Sequence, residues 1–149
     1  VYEIWSGEAY IYMQETAKDQ PGRCFAVHAK AGDVVIVPPS WAHATVNADP
    51  KEPMLFGAWC VRDYGFDYDD VRAHNGVAYF PKVKDDHVVF VKNSAYQSED
   101  IIIKEARSYP EFHLKQGIPI YTQYEHNRDL FTFVTQPQTA AAIWENFEP

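Results

Sequence analysis

Short β-favouring segments separated by turn signals constrain the fold of this chain more than any other feature. Six of them fall within the first 61 residues, and they cover 1–5, 8–14, 24–28, 34–37, 41–46 and 54–61. Short strands that recur every ~8 to 12 residues are typical of a β-sandwich or barrel. The sixth segment is almost continuously apolar, so we expect it to be buried on both faces.

The later part of the chain has a different pattern. Residues 67–74 are compatible with one or two helical turns, and further strands are predicted over 76–83, 87–92 and 101–104. Thr135 is placed to cap a helix that runs to Glu145, because Pro137 is tolerated in a first turn. We therefore predict an all-β core over residues 1–94. A C-terminal extension over 95–149, containing strands and a short helix, packs on it.

Composition argues against several classes of protein. The 149 residues carry a formal net charge of -8 and are 46% apolar. Nucleic acids and anionic membranes attract clustered Lys and Arg, so neither is expected as the main partner. No apolar run reaches the ~18 to 20 residues of a membrane span, and no signal-peptide pattern opens the chain. Cys24 and Cys60 are expected to be buried, reduced thiols, which favours a cytoplasmic setting.

Residues 32–47 contain the most informative motif of the chain, GDVVIVPPSWAHATVN. Gly32 permits a tight turn into a strand, and the prolines at 38 and 39 end ladder pairing because proline has no N–H to donate. The chain then re-enters the sheet with His43 directed inward. A neutral imidazole in that position can bind a metal ion.

The spacing of Gly32, Pro38, Ser40, His43 and Asn47 resembles the second motif of the cupin superfamily, which has glycine where this chain has Ser40. The resemblance implies a cupin jelly-roll β-barrel in which His43 is a metal ligand. The family's first motif contains an H-x-H pair and ends in a glutamate followed, after six residues, by glycine. Counting back from Gly7 places that glutamate immediately before Val1. We therefore expect the chain to begin one residue after a metal ligand.

A narrower resemblance links the chain to the cupin-type glucose-6-phosphate isomerase family. It covers about residues 1 to 70 and is carried by Val1-Tyr2, Gly7, the V-P-P-S-W-A-H-A-T-V-N block, Glu52-Pro53 and Asp67-Tyr68. It implies metal-dependent interconversion of glucose 6-phosphate and fructose 6-phosphate, the step shared by glycolysis and gluconeogenesis. The divalent metal is Fe, Mn, Ni or Zn. Ser40, Cys60 and Phe66 depart from residues found in some members.

Two mechanisms are compatible with this chemistry. A carboxylate base can act through a cis-enediol, or a metal can polarise the C1 and C2 oxygens and assist a hydride shift. The base that the family pattern offers is the glutamate expected before Val1. The catalytic residues are therefore unknown within these 149 residues, which we expect to be inactive on their own.

Strand alternation assigns roles to the first residues of the chain. Tyr2 shares a face with Ile4 and with the expected glutamate, so it is either a wall of the sugar pocket or a barrel-lining aromatic. Glu3 points to the opposite face, which argues against it as a substitute ligand. His43 is interpreted as a metal ligand rather than as a core histidine.

Further substrate-binding candidates follow from parity and position. Thr45 and Asn47 share the face of His43; Thr45 is a substrate contact or a packing residue, and Asn47 satisfies loop backbone groups. Phe56 and Tyr68 are the other predicted substrate-binding residues. Trp41 is a stacking residue at the cavity mouth or a plain packing residue. The other five histidines are interpreted as surface or core residues, and Trp144 and Phe147 as anchors of the C-terminal tail.

Two other classes of function stay open at this point. The chain could be a non-catalytic sugar-binding or sensor cupin, or a metal-dependent cupin of other chemistry such as a dioxygenase or epimerase. The expected partner is a small-molecule sugar phosphate. A homodimer that forms through an edge strand or a sheet face is also expected.

Overall fold

The computed structural model describes residues 1–149 and contains nine strands and four short α-helices. The strands are β1 (Tyr2–Ser6), β2 (Glu8–Gln14), β3 (Cys24–Lys30), β4 (Val34–Val35), β5 (Ala42–Asn47), β6 (Leu55–Ala58), β7 (Tyr79–Lys84), β8 (His87–Lys92) and β9 (Ile102–Glu105). The α-helices are α1 (Asp69–Ala73), α2 (Ile120–His126), α3 (Thr132–Thr135) and α4 (Ala141–Trp144). Short 3₁₀ helices cover Pro110–Phe112, Arg128–Phe131 and Pro137–Ala140.

Two sheets face each other around the main apolar core. Sheet A has the strand order β4-β1-β6, and sheet B has the order β5-β2-β3-β9. Residues of both sheets bury their side chains in the space between them, namely Ile4, Ala9, Ile11, Met13, Phe25, Val27, Ala29 and Val35. The expected β-rich class is confirmed. The sheets do not close into one barrel.

Alternation along β1 and β2 explains which residues reach this core. On β2, Ala9, Ile11 and Met13 are fully buried between the sheets. The intervening Tyr12 lies on the outer face of sheet B, together with Cys24, Ala78, Tyr79 and Tyr96. The hairpin of β7 and β8 packs on that outer face through the ring of Phe90. Period-2 patterning therefore sets the layers, as expected for strands that are apolar on the core side.

The outer face of sheet A is covered by the helical segment that follows β9. We call its buried and half-buried rings the aromatic layer, which consists of Tyr109, Phe112, Phe131, Phe133, Trp144 and Phe147. Ile36 and Ile120 complete this second core. The buried carboxylate of Glu3 accepts hydrogen bonds from the Ile120 backbone N–H and the Trp5 indole, each at 2.9 Å. Strand β1 therefore contacts the core between the sheets through Ile4 and the second core through Glu3.

Several sequence-based boundaries are confirmed, and three expectations are corrected. The sixth strand is four residues long with only Gly57 buried, because β6 lies at the edge of sheet A. Cys24 is buried as predicted, but Cys60 is exposed because it lies beyond the end of β6. The helix predicted from Thr135 to Glu145 is broken into a 3₁₀ turn and α4. Thr135 is the last residue of α3 and does not cap the helix that follows.

The segment beyond residue 95 also differs from the predicted strands and single helix. It supplies one strand, β9, which pairs in parallel with β3, and several short helices. Trp144 and Phe147 pack in the aromatic layer, as expected for tail anchors. None of the helices is both long and apolar enough to cross a membrane.

Candidate functional site

Four of the predicted site residues meet at one end of the space between the two sheets. The ring of Tyr2 lies 5.8 Å, centroid to centroid, from His43 in an edge-on arrangement, and 5.8 Å from Phe56. Thr45 lies near the Tyr2 phenol and acts to lower its pKa. We call Tyr2, His43, Thr45 and Phe56 the site end.

The register of the strands explains why these residues converge. On sheet B, His43 pairs with Met13 and Thr45 pairs with Ile11, so both share the core-facing side of their partners. On sheet A, Phe56 pairs with Ile4, whose side chain also faces the core. Tyr2 lies two residues before Ile4 and has the same orientation. The parity assigned to Tyr2, His43 and Thr45 from the sequence matches this register.

His43 is held so that one ring nitrogen remains available. Its Nδ1 lies 3.0 Å from the carbonyl oxygen of Trp41. A carbonyl can only accept, so Nδ1 carries the proton and donates it, which leaves the Nε2 lone pair free. The imidazole is exposed on the edge strand β5. Histidines that bind metals commonly use one nitrogen for the metal and the other for such a backbone bond.

The site end supplies one nitrogen ligand rather than a complete metal site. No three His, Cys, Asp or Glu side chains of the chain are grouped closely enough to hold a metal ion. The orientation of His43 fits a single ligand of a divalent metal. A complete coordination sphere would need donors in addition to His43.

Tyr2 provides a neutral phenol at the centre of the site end. Burial raises the pKa of Tyr2, and the nearby Thr45 side chain offsets part of that rise. The phenol is therefore protonated at neutral pH and can donate a hydrogen bond to an oxygen-rich ligand. Phe56 adds an apolar wall beside it.

The fourth predicted substrate-binding residue, Tyr68, lies elsewhere. Tyr68 immediately precedes α1 and is 49% exposed. Its ring stacks on Phe66 at 5.9 Å, and the guanidinium of Arg72 lies 5.4 Å from its centroid. The structure therefore does not bring Tyr68 into contact with Tyr2 or His43.

Other residues singled out from the sequence have local structural contacts. The amide of Asn47 donates to the Glu52 carbonyl at 2.8 Å, in keeping with its interpretation as a loop-stabilising residue. Trp41 stacks on Phe25 at 6.0 Å and packs against the main core. Glu3 lies on the face opposite to Tyr2, as alternation predicts, and its two hydrogen bonds are structural.

Two histidines outside the site end contact carboxylates. His28 lies between two carboxylates, with Nε2 2.8 Å from Glu8 and Nδ1 3.2 Å from Glu105. His74 contacts the Asp19 carboxylate at 2.9 Å and stacks on the Tyr96 ring at 4.2 Å. These contacts link neighbouring segments, which agrees with the structural role predicted for both residues.

The partners that hold the Trp41 ring have no signature in the sequence. The guanidinium of Arg23 lies 5.6 Å from the Trp41 centroid and 5.7 Å from that of Phe25. Eighteen positions separate Arg23 from Trp41. No local spacing rule connects them; β3 and β5 flank β2 in sheet B, and this sheet order brings the two residues together.

Comparisons with known proteins give one match. The family model described as glucose-6-phosphate isomerase matches residues 1–99 of the 149-residue chain. Searches of curated proteins and of solved structures gave no match. The matched region contains every residue of the site end and both facing sheets except β9. The chain therefore belongs to the cupin-type glucose-6-phosphate isomerase family.

Proposed function

We propose that the protein is a metal-dependent isomerase that interconverts glucose 6-phosphate and fructose 6-phosphate, built on a cupin jelly roll. The observation that carries the proposal is the convergence of Tyr2, His43, Thr45 and Phe56 between the two sheets. All four lie in the region that the family model matches. The site end combines a free imidazole nitrogen, a neutral phenol and an apolar ring, which suits a polar sugar with one apolar edge.

His43 would contribute one ligand to a divalent Fe, Mn, Ni or Zn ion through Nε2. The hydrogen bond from Nδ1 to the Trp41 carbonyl fixes the ring plane and the tautomer. A bound metal would polarise the C1 and C2 oxygens of the sugar. The remaining ligands and the catalytic base are not among the residues that we assign here.

Tyr2, Thr45 and Phe56 would bind and orient the sugar. The phenol of Tyr2 would donate to a sugar oxygen, and the neighbouring Thr45 would offer a second polar contact. Phe56 limits access of water from the side of β6. Tyr68 would act only if the segment before α1 moves toward the site end.

The assay that tests this proposal measures glucose 6-phosphate formed from fructose 6-phosphate by the full-length protein, with and without EDTA. His43→Gln should lower kcat/KM at least about 100-fold, equivalent to about 2.7 kcal/mol of the several kcal/mol a metal supplies. His126→Gln is the matched control, because the Nδ1 of His126 also contacts a backbone carbonyl, at 2.7 Å, on helix α2. Its activity should equal that of the wild type.

The same assay separates the other classes of function. Binding of fructose 6-phosphate without turnover in any divalent metal would contradict the isomerase and support a sugar-binding cupin. An unchanged rate in His43→Gln would contradict the assignment of the site.

We also propose that the protein is a cytoplasmic homodimer whose residues 95–149 form a C-terminal extension packed on the core. Strand β9 supports an edge contact between copies, because it ends sheet B with Ile102 and Ile103 exposed. Light scattering of the purified protein should give twice the monomer mass, and a monomer mass would contradict this dimer.

A further inference from the structure

A continuous series of contacts runs from Arg23 to the imidazole of His43. The guanidinium of Arg23 lies over the Trp41 ring, and that ring stacks on Phe25 with an interplanar angle of 21°. Phe25 is fully buried, so it forms a fixed floor for the Trp41 ring. The backbone carbonyl of Trp41 then accepts the Nδ1–H of His43.

The backbone of Trp41 has few restraints of its own. The ladder between β5 and β2 begins at Ala42, which pairs with Gln14, so Trp41 lies outside it. Its own N–H makes only a long contact of 3.4 Å with the Pro38 carbonyl. Ser40, the preceding residue, has a left-handed φ of 66°. The Trp41 carbonyl therefore lies at the junction between the paired residue Ala42 and the Trp41 ring, which is packed on Phe25 and Arg23.

Arg23 is itself fixed from the other side by Glu15. The Nε of Arg23 donates to Glu15 Oε1 at 2.6 Å, and the backbone N–H of Arg23 donates to Oε2 at 3.0 Å. A Cβ at Gly22 would lie 2.1 Å from that carboxylate, so glycine leaves the space that Glu15 occupies. Glu148 adds a longer contact of 3.5 Å to the guanidinium.

We propose that Arg23 is a positioning residue for His43. By holding the Trp41 ring against Phe25, it fixes the carbonyl that keeps the proton of His43 on Nδ1 and presents Nε2 to the space between the sheets. A planar guanidinium can stack on the ring and bond to Glu15 at once, which a lysine cannot do equally well. The identity of the ligand at Nε2 rests on the proposed isomerase function. The tautomer of His43 is independent of that function.

The test is nitrogen NMR of protein labelled with ¹⁵N-histidine, recorded at pH 8 without metal or sugar, with the His43 signal assigned from His43→Gln. The wild type should show Nδ1 protonated and Nε2 bare. Arg23→Gln should shift the tautomer ratio of His43 about two- to five-fold toward the Nε2-protonated form, and Arg23→Lys should restore part of it. Arg128→Gln is the matched control, because Arg128 lies 5.5 Å from the Tyr124 ring in the C-terminal segment; it should change nothing.

Glu15→Gln retains the Arg23 side chain but weakens its contact with residue 15. This variant provides the test if Arg23→Gln folds poorly. A shift in the same direction and of smaller size is expected. A His43 spectrum identical to the wild type in folded Arg23 and Glu15 variants would overturn the inference and leave the isomerase proposal standing. Conversely, a protein with no isomerase turnover but with these tautomer shifts would contradict the proposed function alone.

Discussion

On the inner face of sheet A, Tyr2 and Phe56 meet His43 and Thr45 of strand β5, whereas the outer face is covered by the aromatic layer. Rings of the aromatic layer contact one another closely, as between Phe112 and Phe133, whose centroids are 4.3 Å apart. Their polar groups are also used, since the Tyr109 hydroxyl accepts the Ile36 backbone N–H. The site end keeps the Nε2 of His43 free and is only half-buried.

This difference indicates what each aromatic cluster does. Burial raises the pKa of Tyr109 to about 12, so its phenol is a permanently neutral part of a packed core. Tyr2 is also kept neutral, but it lies beside an exposed imidazole. A cluster whose polar groups are all used stabilises the fold, and a cluster with unused groups can bind a ligand.

Truncating one ring in each cluster should give the largest contrast. Phe112 is 4% exposed and contacts three other rings, so Phe112→Ala should lower the free energy of unfolding by about 3 to 5 kcal/mol. Phe56 is 37% exposed, and Phe56→Ala should cost less than about 1.5 kcal/mol. Urea unfolding curves measure both values. Equal losses would remove the distinction between the two clusters.

Tyr2 and Glu3, which lie on opposite faces of β1, should affect substrate binding and stability differently. Glu3→Ala removes the acceptor of the Ile120 N–H and the Trp5 indole, and it should lower the free energy of unfolding by about 1 to 3 kcal/mol. Tyr2→Phe removes the phenol at the site end. It should raise the KM for fructose 6-phosphate about 3- to 10-fold while costing less than about 1.5 kcal/mol of stability.

Thermal unfolding and steady-state kinetics measured on the same two variants decide this point. If Glu3→Ala changed KM more than Tyr2→Phe did, the assignment of the inner face as the binding face would be wrong.

Ser40 stands where the related motif has glycine, and the backbone explains that preference. Its φ of 66° is left-handed, a conformation that costs an L-residue about 1 to 2 kcal/mol. The greater chain entropy of glycine when unfolded offsets about 0.4 to 1 kcal/mol. Ser40→Gly should therefore raise the free energy of unfolding by about 0.5 to 1 kcal/mol. A loss of stability in urea would show that the Ser40 side chain makes a stabilising contribution.

The smallest expected effect is a loss of stability in acid that depends on Glu111, which is next to Phe112 of the aromatic layer. Burial, the largest single influence, would raise the pKa of Glu111. The 2.6 Å hydrogen bond from Arg107, a backbone hydrogen bond and the charge of Arg107 together outweigh burial and lower the pKa below its ordinary value of 4.5. A lowered carboxyl pKa gives stability that is present above pH 4.5 and is lost as the pH falls through the folded-state pKa.

The difference in unfolding free energy between wild type and Glu111→Gln should therefore be steady at neutral pH and vanish in acid. Urea titrations between pH 3 and 7 test this. A difference that does not change with pH would mean that the Arg107 contact is not electrostatic.

Much of the fold could be predicted where local pattern decides the structure. Strand β2 has the predicted bounds, and the parity of Tyr2, His43 and Thr45 follows from alternation along single strands. The exposure of β6 was missed because edge position depends on sheet order, which an apolar run does not specify. The broken helix after Thr135 reflects packing of Trp144 in the aromatic layer, which overrides the local helix signal.

The site itself was predictable only in part for the same reason. The motif containing His43 is a local pattern, so its ligand-like orientation could be expected from spacing. Tyr68 was assigned from its position in the family pattern, and the path of the chain before α1 places it away from His43. Arg23 reaches Trp41 through tertiary packing alone.

The most direct test of the central claim maps where the sugar phosphate binds. Backbone amide signals of ¹⁵N-labelled full-length protein should be followed while fructose 6-phosphate is added. The site end predicts that the largest shifts occur at Tyr2, His43 and Thr45, with little change at Phe112 and Phe133. Largest shifts in the aromatic layer, or none at the site end under saturating sugar, would contradict the account.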